Sequence, residues 1–297
     1  MRILSPLLSV NEVQPLCEVG ADDFFCGLVD KERTLNSRPN TAEHSFSNKE
    51  DLRRAVVLTH AQGRRIFLVI NSLPPLDINR GLRQAVIAKE IGIDGLIVAS
   101  LLLIKKIDDL GLGLELQASS LTTAINSEAV LFAQRLGVSH VHLPTQIGME
   151  ELGRMMKYVP GIKFSIFVLG GLCVYAEQFC SLHEGFAEDF IPCQHFRALG
   201  MVGRGGMPLA ECDKRHNQPA FSCGLCVVRK CLSLGVDTLK IEGRYLPLDK
   251  KAQRVSMVRQ VIQAAVASKD DNVFIQHCQG IFQKDQGRPC KPEFCIF

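Results

Sequence analysis

Four segments of the chain share a glycine that is followed, two residues later, by a short apolar run. They are residues 20–25, 92–98, 137–143 and 235–241. Glycine is the preferred residue at the left-handed position just after a helix, so each segment predicts a junction from a helix into a strand. Strands that alternate with helices pair in parallel through right-handed crossovers. The repeat therefore predicts an α/β fold, and about seven or eight such units favour a closed (β/α)8 barrel of TIM type.

Helical periodicity lies between these junctions, over residues 48–62, 78–91, 101–110, 124–136 and 250–267. Ser47 is a candidate cap for the first of these helices. Further strands are predicted at residues 3–8, 65–70, 114–117 and 163–168. A doubly wound open sheet is the alternative, but no Gly-x-Gly-x-x-Gly follows the first strand, which argues against a dinucleotide-binding fold. We expect a barrel domain over residues 1–268 and a C-terminal tail over residues 269–297.

Length and composition fit one cytoplasmic domain. The 297 residues suit a single barrel, and the 46% of apolar residues are enough for its core. The net charge of +3 is too small to predict a nucleic-acid or membrane partner by itself. No apolar run reaches the roughly 18 residues of a membrane span. Because the first residues run directly into a predicted strand without a signal-peptide pattern, we predict a cytoplasmic protein with no membrane span.

The twelve cysteines are unevenly distributed. After Cys17 and Cys26 none occurs before Cys173, and then seven lie within residues 173–231. In a reducing compartment such crowding indicates metal ligands or catalytic thiols more than disulfides. The region 169–231 also breaks the helix–strand rhythm. We interpret it as an irregular cysteine-rich insertion at the C-terminal face of the barrel, where barrel enzymes carry their active sites.

The candidate metal ligands are five cysteines of this region, Cys173, Cys180, Cys193, Cys223 and Cys226. Thiolates bind zinc and iron–sulfur clusters. The spacing suits a 4Fe-4S cluster at least as well as zinc, because zinc ribbons use two C-x-x-C pairs. Buried structural cysteines are another interpretation, and the C-x-x-C alone is also compatible with a redox dithiol. Cys290 and Cys295 belong either to a frayed tail or to a segment that reaches back to the barrel mouth as further ligands.

A second candidate site follows the apolar run of the last junction. Lys240, Glu242 and Arg244 alternate along the chain, so strand geometry would direct all three to the same side. A lysine and an arginine suit a carboxylate or phosphate of a substrate, and the glutamate can orient the arginine or handle a proton. We predict these three as catalytic residues, with a structural ion pair as the alternative.

Two stretches of the chain resemble a known family. Residues 167–173, with Cys180 after six further residues, are similar to the signature of the collagenase-like peptidase family, number thirty-two of the U class. The matching positions are Phe167, Gly170, Leu172, Cys173, Cys180 and Leu182. The positions that depart from the signature are Ser165, Gly171, Gln178 and His183. Residues 235–244 closely resemble the family's Gly-Val-Asp-Ser-Leu-Lys-Ile-Glu-Gly-Arg segment, and the resemblance extends over about residues 1–265.

The resemblance implies a redox protein more than a peptidase. The better-understood relatives are RNA and quinone hydroxylation proteins that carry a 4Fe-4S cluster on four cysteines and work without oxygen. The ligands implied here are Cys173, Cys180, Cys193 and one of Cys223 or Cys226, and Cys223 has the family's usual distance from the motif at 235–244. The chain contains neither His-Glu-x-x-His nor Gly-x-Ser-x-Gly, so a hydrolase assignment rests on the family name.

We therefore expect an oxygen-independent, iron–sulfur-dependent hydroxylation or related redox reaction. Its substrate would be an RNA base or a small aromatic or quinone molecule. The alternatives are a collagenase-like peptidase and a non-catalytic iron–sulfur subunit that acts in a hetero-oligomer with another member of the family.

Overall fold

The structure, a computed structural model, describes residues 1–29, 45–71, 78–122, 124–171, 221–291 and 295–297. Its centre is a closed ring of eight parallel strands. The first seven are β1 (Arg2–Pro6), β2 (Asp23–Cys26), β3 (Arg65–Ile70), β4 (Gly95–Val98), β5 (Glu115–Ala118), β6 (His140–His142) and β7 (Lys163–Gly171). A short strand, β8 (Phe221–Cys223), pairs antiparallel with the end of β7. The last strand, β9 (Thr238–Ile241), pairs in parallel with both β7 and β1 and so closes the ring. The predicted barrel is confirmed, and the open sheet is wrong.

The described helices follow the strands in the expected alternation. They are α1 (Val13–Glu18), α2 (Lys49–Ala61), α3 (Ile78–Ile91), α4 (Leu101–Asp109), α5 (Ser127–Arg135), α6 (Met149–Tyr158), α7 (Val228–Leu234), α8 (Leu248–Ala267) and α9 (Asp271–Gln286). Apolar periodicity predicted α2 to α5 and α8 to within a few residues at each end. Asn48 rather than Ser47 caps α2, since its Oδ1 accepts a hydrogen bond from the Asp51 N–H at 2.8 Å. None of the described helices has both the length and the apolar character that a bilayer span requires.

The four junction glycines behave as the repeat predicts. Gly20, Gly92, Gly137 and Gly235 have φ values of 104°, 85°, 95° and 82°, which a side chain would disfavour. The following strand begins three residues after each glycine instead of two, because one further residue is needed to turn from the helix into the sheet. The turn chemistry of the repeat therefore fixes where half of the barrel strands start.

The core has two layers because side chains of a strand alternate between its faces. The larger layer lies between the strands and the helices. A smaller apolar cluster lies inside the barrel and comes only from β1 to β4: Leu4, Phe25, Phe67, Val69 and Ile97. The inward positions of β5, β6, β7 and β9 are instead mostly occupied by polar residues, with Phe167 on β7 as an aromatic exception, and they form the site described below.

Residues 172–220, and with them Cys173, Cys180 and Cys193, lie outside the described residues. The flanks of this segment and the C-terminal tail differ from the sequence prediction. The described flanks of the predicted insertion 169–231 are regular, because residues 169–171 continue β7 and residues 221–231 form β8, a short 3-10 turn (Leu225–Val227) and the start of α7. The predicted tail contains α9, which packs against that turn and buries Phe274, Cys278 and Phe282.

Candidate functional site

The N-terminal end of the barrel is closed by ion pairs between the first residues of its strands. The Asp23 side chain is 2% exposed and accepts hydrogen bonds from Arg2 Nε at 2.5 Å and Nη2 at 2.7 Å. Arg65 Nε donates to the same carboxylate at 3.0 Å, and Arg65 Nη1 donates to Glu115 Oε2 at 3.0 Å. Charge-assisted, bidentate pairs of this kind fix strand ends firmly. We call these four side chains the charged end; chemistry is expected at the opposite end, where strands pass into βα loops.

A second set of buried polar side chains lies further along the interior. We call it the interior polar cluster, and its members are Gln117, His140, His142, Ser165 and Lys240. His142 Nε2 lies 2.7 Å from Gln117 Oε1, and His140 Nε2 lies 2.7 Å from Ser165 Oγ. The two imidazole rings stack with centroids 5.1 Å apart and an interplanar angle of 16°. The two hydrogen bonds join neighbouring strands, whereas the stacked rings belong to one strand, β6, so strand alignment and strand alternation together set the geometry of the cluster.

Hydrogen bonding assigns the tautomer of His142. Gln117 Nε2 donates to Glu115 Oε1 at 3.0 Å, so its Oε1 accepts and His142 Nε2 carries the proton. Nδ1 is then an acceptor, and among the described residues this buried atom has no hydrogen-bond partner. Burial, followed by the charges of Lys240 and His140, lowers the pKa of His142 well below 6.5. His142 is therefore a neutral base that can accept a hydrogen bond or a proton.

Glu115 connects the charged end to the cluster. Burial would raise its pKa, but the interaction with His140, whose Nδ1 lies 3.8 Å from Oε1, and the charges of Arg65 and Lys163 outweigh burial. The pKa of Glu115 falls to about 2 as a result. An ionised carboxylate at this position holds the Gln117 amide in one orientation, which in turn holds the His142 ring.

Lys240 lies inside the barrel and is 6% exposed. Its Nζ is 4.8 Å from the centroid of the Phe25 ring and 5.0 Å from that of Phe167, which is cation–π geometry. The aromatic faces favour the cation while they exclude water from it. The sequence indicated Lys240 at the end of a strand, whereas the structure buries it within β9 beside His142.

Glu242 and Arg244 follow β9 along the chain. The Glu242 N–H still bonds the Leu169 carbonyl at 2.9 Å, but Gly243 has a φ of 119° and ends the extended geometry. The alternation on which the prediction depends therefore stops before Arg244, which lies in a turn. The Glu242 side chain approaches Gly170 so closely that a Cβ at that glycine would lie 2.7 Å from Oε2. The structure thus places Lys240 beside His142, whereas Arg244 lies in the turn after β9 and acts electrostatically on Cys26 and Lys251.

Cys223 and Cys226 lie at the barrel mouth. Cys223 pairs with Leu169 in the ladder between β7 and β8, and the Gly224 N–H donates to the Val168 carbonyl at 2.7 Å. Burial raises the pKa of Cys223 to about 12. Cys226 is half-buried, and a hydrogen bond with Cys278 lowers its pKa to about 7. The C-x-x-C therefore places one protonated and one readily ionised thiol next to the last residues of β7.

The C-terminal residues return to the same place. The Ile296 N–H donates to the Cys223 carbonyl at 3.0 Å, and Cys295 forms an isolated parallel bridge with Cys223. The thiols of Cys290 and Cys295 interact, and both act electrostatically on Cys223. The C-terminal segment therefore reaches back to the barrel mouth, as one of its two interpretations predicted. A role as metal ligand stays a prediction.

The sequence profile of peptidase family U32 matches residues 8–296. The chain belongs to this family. It is similar to tRNA hydroxylation protein P of Escherichia coli K12, with 26% identity over 94% of this chain and 72% of that protein. It is also similar to the 23S rRNA 5-hydroxycytidine C2501 synthase of the same organism, with 22% identity over 77% of this chain and 36% of that protein. Among solved structures, N-acetylneuraminate lyase from Mycoplasma synoviae superposes with a TM-score of 0.53 at 9% identity over 96% of this chain and 80% of that one, which shows a shared barrel fold.

The thiols at the mouth of this U32 chain are chemically the type of ligand that zinc and iron–sulfur clusters use. Cys223 is in place, with Cys226, Cys290 and Cys295 around it, and thiolates are the ligands of zinc and iron–sulfur clusters. As placed, the described residues offer no group of three or more His, Cys, Asp or Glu side chains that could hold a metal ion. The predicted ligands Cys173, Cys180 and Cys193 lie outside the described residues, so cofactor and ligand set are carried forward as proposals.

Of the interior polar cluster, sequence reasoning identified Lys240 but missed the other four members, and it also missed two buried partners. His140 and His142 alternate in a strand of otherwise apolar residues, and that spacing was the available signal, because it places both rings on one face. Lys251 is fully buried and bonds both Glu12 oxygens at 2.9 Å, a pair that joins α8 to the loop after β1. Nothing in the sequence pattern connects residues so far apart.

Proposed function

We propose that this U32 protein hydroxylates a base in RNA with the help of a 4Fe-4S cluster at the barrel mouth, in a reaction that does not use oxygen. The observation that carries the proposal is the position of Cys223, on a strand that pairs antiparallel with the C-terminal end of β7, at the mouth of the barrel. The similarity to a protein named for tRNA hydroxylation, over 94% of this chain, supplies the substrate class.

Cys173, Cys180, Cys193 and Cys223 would hold the cluster. Cys223 is preferred to Cys226 as the fourth ligand because Cys226 is already engaged with Cys278, whereas Cys223 ends the strand that joins the barrel rim. A bound 4Fe-4S cluster would supply one-electron transfer. Without molecular oxygen, the oxygen atom that replaces a ring hydrogen would come either from water, with two electrons and two protons passed to an external acceptor, or from a hydroxylated co-substrate that is reduced in exchange.

The interior polar cluster would bind the base. Lys240 places a desolvated positive charge next to His142, and such a charge stabilises negative charge that develops on a carbonyl oxygen of the base. His142 Nδ1 can accept a hydrogen bond from a ring N–H, because Glu115 and Gln117 fix the proton on Nε2. Phe25 and Phe167 exclude water around the reacting group.

This geometry requires a base to be turned out of its stack. A base inside a barrel cannot remain paired, so the substrate is a single-stranded loop or a nucleotide flipped from a helix. Glu242 and Arg244 stay candidate contacts at the rim, where an arginine suits a backbone phosphate. A cytoplasmic location fits an RNA substrate and stays a prediction.

The proposal is tested in a strain of Escherichia coli that lacks its own tRNA hydroxylation protein P. This chain would be expressed there with and without oxygen, and digested RNA analysed by mass spectrometry for nucleosides that have gained one oxygen atom. Protein purified without air would be assayed for iron, sulfide and visible absorption. We expect both the modified nucleoside and the iron to disappear in Cys173→Ala and Cys223→Ala, and to persist in Cys231→Ala, a cysteine buried on α7.

Three outcomes would contradict this assignment. Full activity of colourless, iron-free protein would exclude a role of the cluster in the reaction, and peptide hydrolysis by such protein would favour the peptidase alternative. Modification of a quinone or another small aromatic molecule, with RNA unchanged, would move the activity to a small substrate. Modification only in the presence of another family member would favour the hetero-oligomeric alternative.

A further inference from the structure

A groove opens where the turn after β9 meets the last two helices of the chain. Six residues line it: Leu246, Lys250, Gln253, Arg254, Asp285 and Gln286. The first comes from the turn, the next three from the first two turns of α8, and the last two from the end of α9. The groove has a volume of about 340 Å³, which lies within the range of small-ligand sites. Because nearly all of its lining residues are polar, it suits a polar group and not an apolar one.

Arg254 connects this groove to the barrel mouth. Its Nη1 donates a hydrogen bond to the Glu242 carbonyl at 2.9 Å, and the Glu242 N–H donates to the Leu169 carbonyl of β7 at 2.9 Å. Lys240, two residues before Glu242 on β9, belongs to the interior polar cluster. The groove therefore begins at the rim of the barrel, next to the strand that carries the cation proposed to act on the base.

The walls of the groove carry a net positive charge, since two cations face one carboxylate. The carboxylate is Asp285, whose Oδ2 accepts a hydrogen bond from the Gln286 side chain. Lys250 is exposed, and its Nζ donates to the neutral Gln253 Oε1 at 3.2 Å. Lys250 also lies in the first turn of α8, where the helix dipole disfavours a lysine. Stability does not account for a cation at this position, whereas an anion bound in the groove does.

An exposed aromatic residue adjoins the groove. Tyr245 directly precedes the lining residue Leu246 and is 53% exposed. Exposed aromatic rings beside cations are the platforms on which proteins stack the bases of single-stranded nucleic acids. The combination of ring and cations at the rim therefore suits a nucleotide, with its base on the ring and its phosphate in the groove.

We propose that this groove binds a backbone phosphate of the RNA beside the base that enters the barrel, and that Tyr245 stacks on the neighbouring base. Lys250 and Arg254 would contact the phosphate oxygens. A phosphate contact fixes the position of the strand and does not read its sequence. This inference rests on the proposed RNA hydroxylation and adds the surface that holds the adjacent nucleotide.

The test measures how tightly the chain, purified without air, binds a fluorescein-labelled single-stranded oligoribonucleotide and unfractionated tRNA at several salt concentrations. Lys250→Ala should weaken binding and lower the slope of log affinity against log salt by about 0.7, the value for one phosphate contact on a single strand. Tyr245→Ala should weaken binding about ten-fold, whereas Tyr245→Phe keeps the ring and should bind as the wild type does.

Lys157→Ala and Tyr158→Ala are the matched controls. Both residues are exposed, Tyr158 to 57%, and both lie at the end of α6, just before β7 begins and thus on the side of the charged end. Both variants should keep the wild-type affinity and salt slope. All four alanine variants change exposed side chains and should keep the wild-type melting temperature, so a change in affinity reports binding and not folding.

Wild-type affinity and salt slope in both Lys250→Ala and Tyr245→Ala would overturn this groove as an RNA site and would leave RNA hydroxylation standing. A wild-type chain that binds neither RNA would overturn the proposed function together with the groove. In the hydroxylation assay, Lys250→Ala should raise KM more than it lowers kcat, because the phosphate contact is the same before and during the reaction. A loss confined to kcat would place Lys250 outside substrate binding and contradict the inference.

Discussion

At the N-terminal end of the barrel Asp23 and Glu115 both meet the guanidinium of Arg65, whereas in the other half of the interior Lys240 lies between two aromatic rings beside a neutral histidine. The first arrangement satisfies its charges with one another. The second buries a cation and the acceptor Nδ1 of His142. Matched charges favour stability, whereas desolvation of a charge costs stability, and buried charges with perturbed neighbours are typical of functional sites. The comparison therefore contrasts a charge-paired end with the part of the interior where we propose the reaction.

The largest effect is expected from Asp23→Ala at the charged end. Arg2 and Arg65 would both lose their main partner, and we expect the free energy of unfolding to fall by about 3 kcal/mol. Urea unfolding measures the change. Asp109→Ala is the control, because Asp109 pairs with Lys105 but is 60% exposed. This substitution should change the free energy of unfolding by about 0.5 kcal/mol or less. Hydroxylation per folded molecule should not change in either variant. A large loss of activity in Asp23→Ala would show that the charged end is also needed for the reaction.

Lys240→Met, in contrast to Asp23→Ala, should mainly reduce activity and not stability. Methionine keeps the apolar stem between Phe25 and Phe167 but removes the charge, so we expect about a 100-fold loss of RNA hydroxylation. The melting temperature should fall less than in Asp23→Ala, because methionine keeps the apolar contacts of the side chain with both rings. Lys163→Met, an exposed lysine at the start of β7, is the control and should keep its activity. A Lys240→Met variant that is unstable yet active would show that Lys240 is structural.

A smaller effect, on pH dependence, tests His142. Burial, Lys240 and His140 lower its pKa, so the folded chain keeps it neutral while the unfolded chain binds a proton below about pH 6.5. Stability from this residue is thus present above that pH and is lost as the pH falls. His142→Gln keeps an N–H for Gln117 and does not titrate, so its urea midpoint should change less between about pH 7.5 and 5. His277→Gln, exposed on α9, should retain the wild-type slope.

The architecture could be predicted because its determinants are local. Gly20, Gly92, Gly137 and Gly235 mark helix ends through backbone conformations that other residues disfavour, and apolar periodicity locates the helices between them. The same reasoning missed α9, whose buried residues Phe274, Cys278 and Phe282 have helical spacing but were assigned to a tail.

The site could be predicted only in part, because it depends on register. The contact of His140 with Ser165 and the position of Lys240 over Phe25 follow from how neighbouring strands align around a closed ring. No single segment encodes that alignment. Cys223 was identified from its spacing to a motif, but the approach of Cys278 and Cys295 required helix packing and a chain reversal at Gly287.

The ladder between β7 and β8 pairs Gly171 directly with Phe221. The two described residues that flank the segment 172–220 therefore lie opposite each other in one strand pair. The alignment of the eight barrel strands does not depend on how many residues are inserted between these two anchors, since lengthening a closed loop costs little free energy. A chimera that joins Gly171 to Phe221 through a relative's segment should consequently retain the barrel.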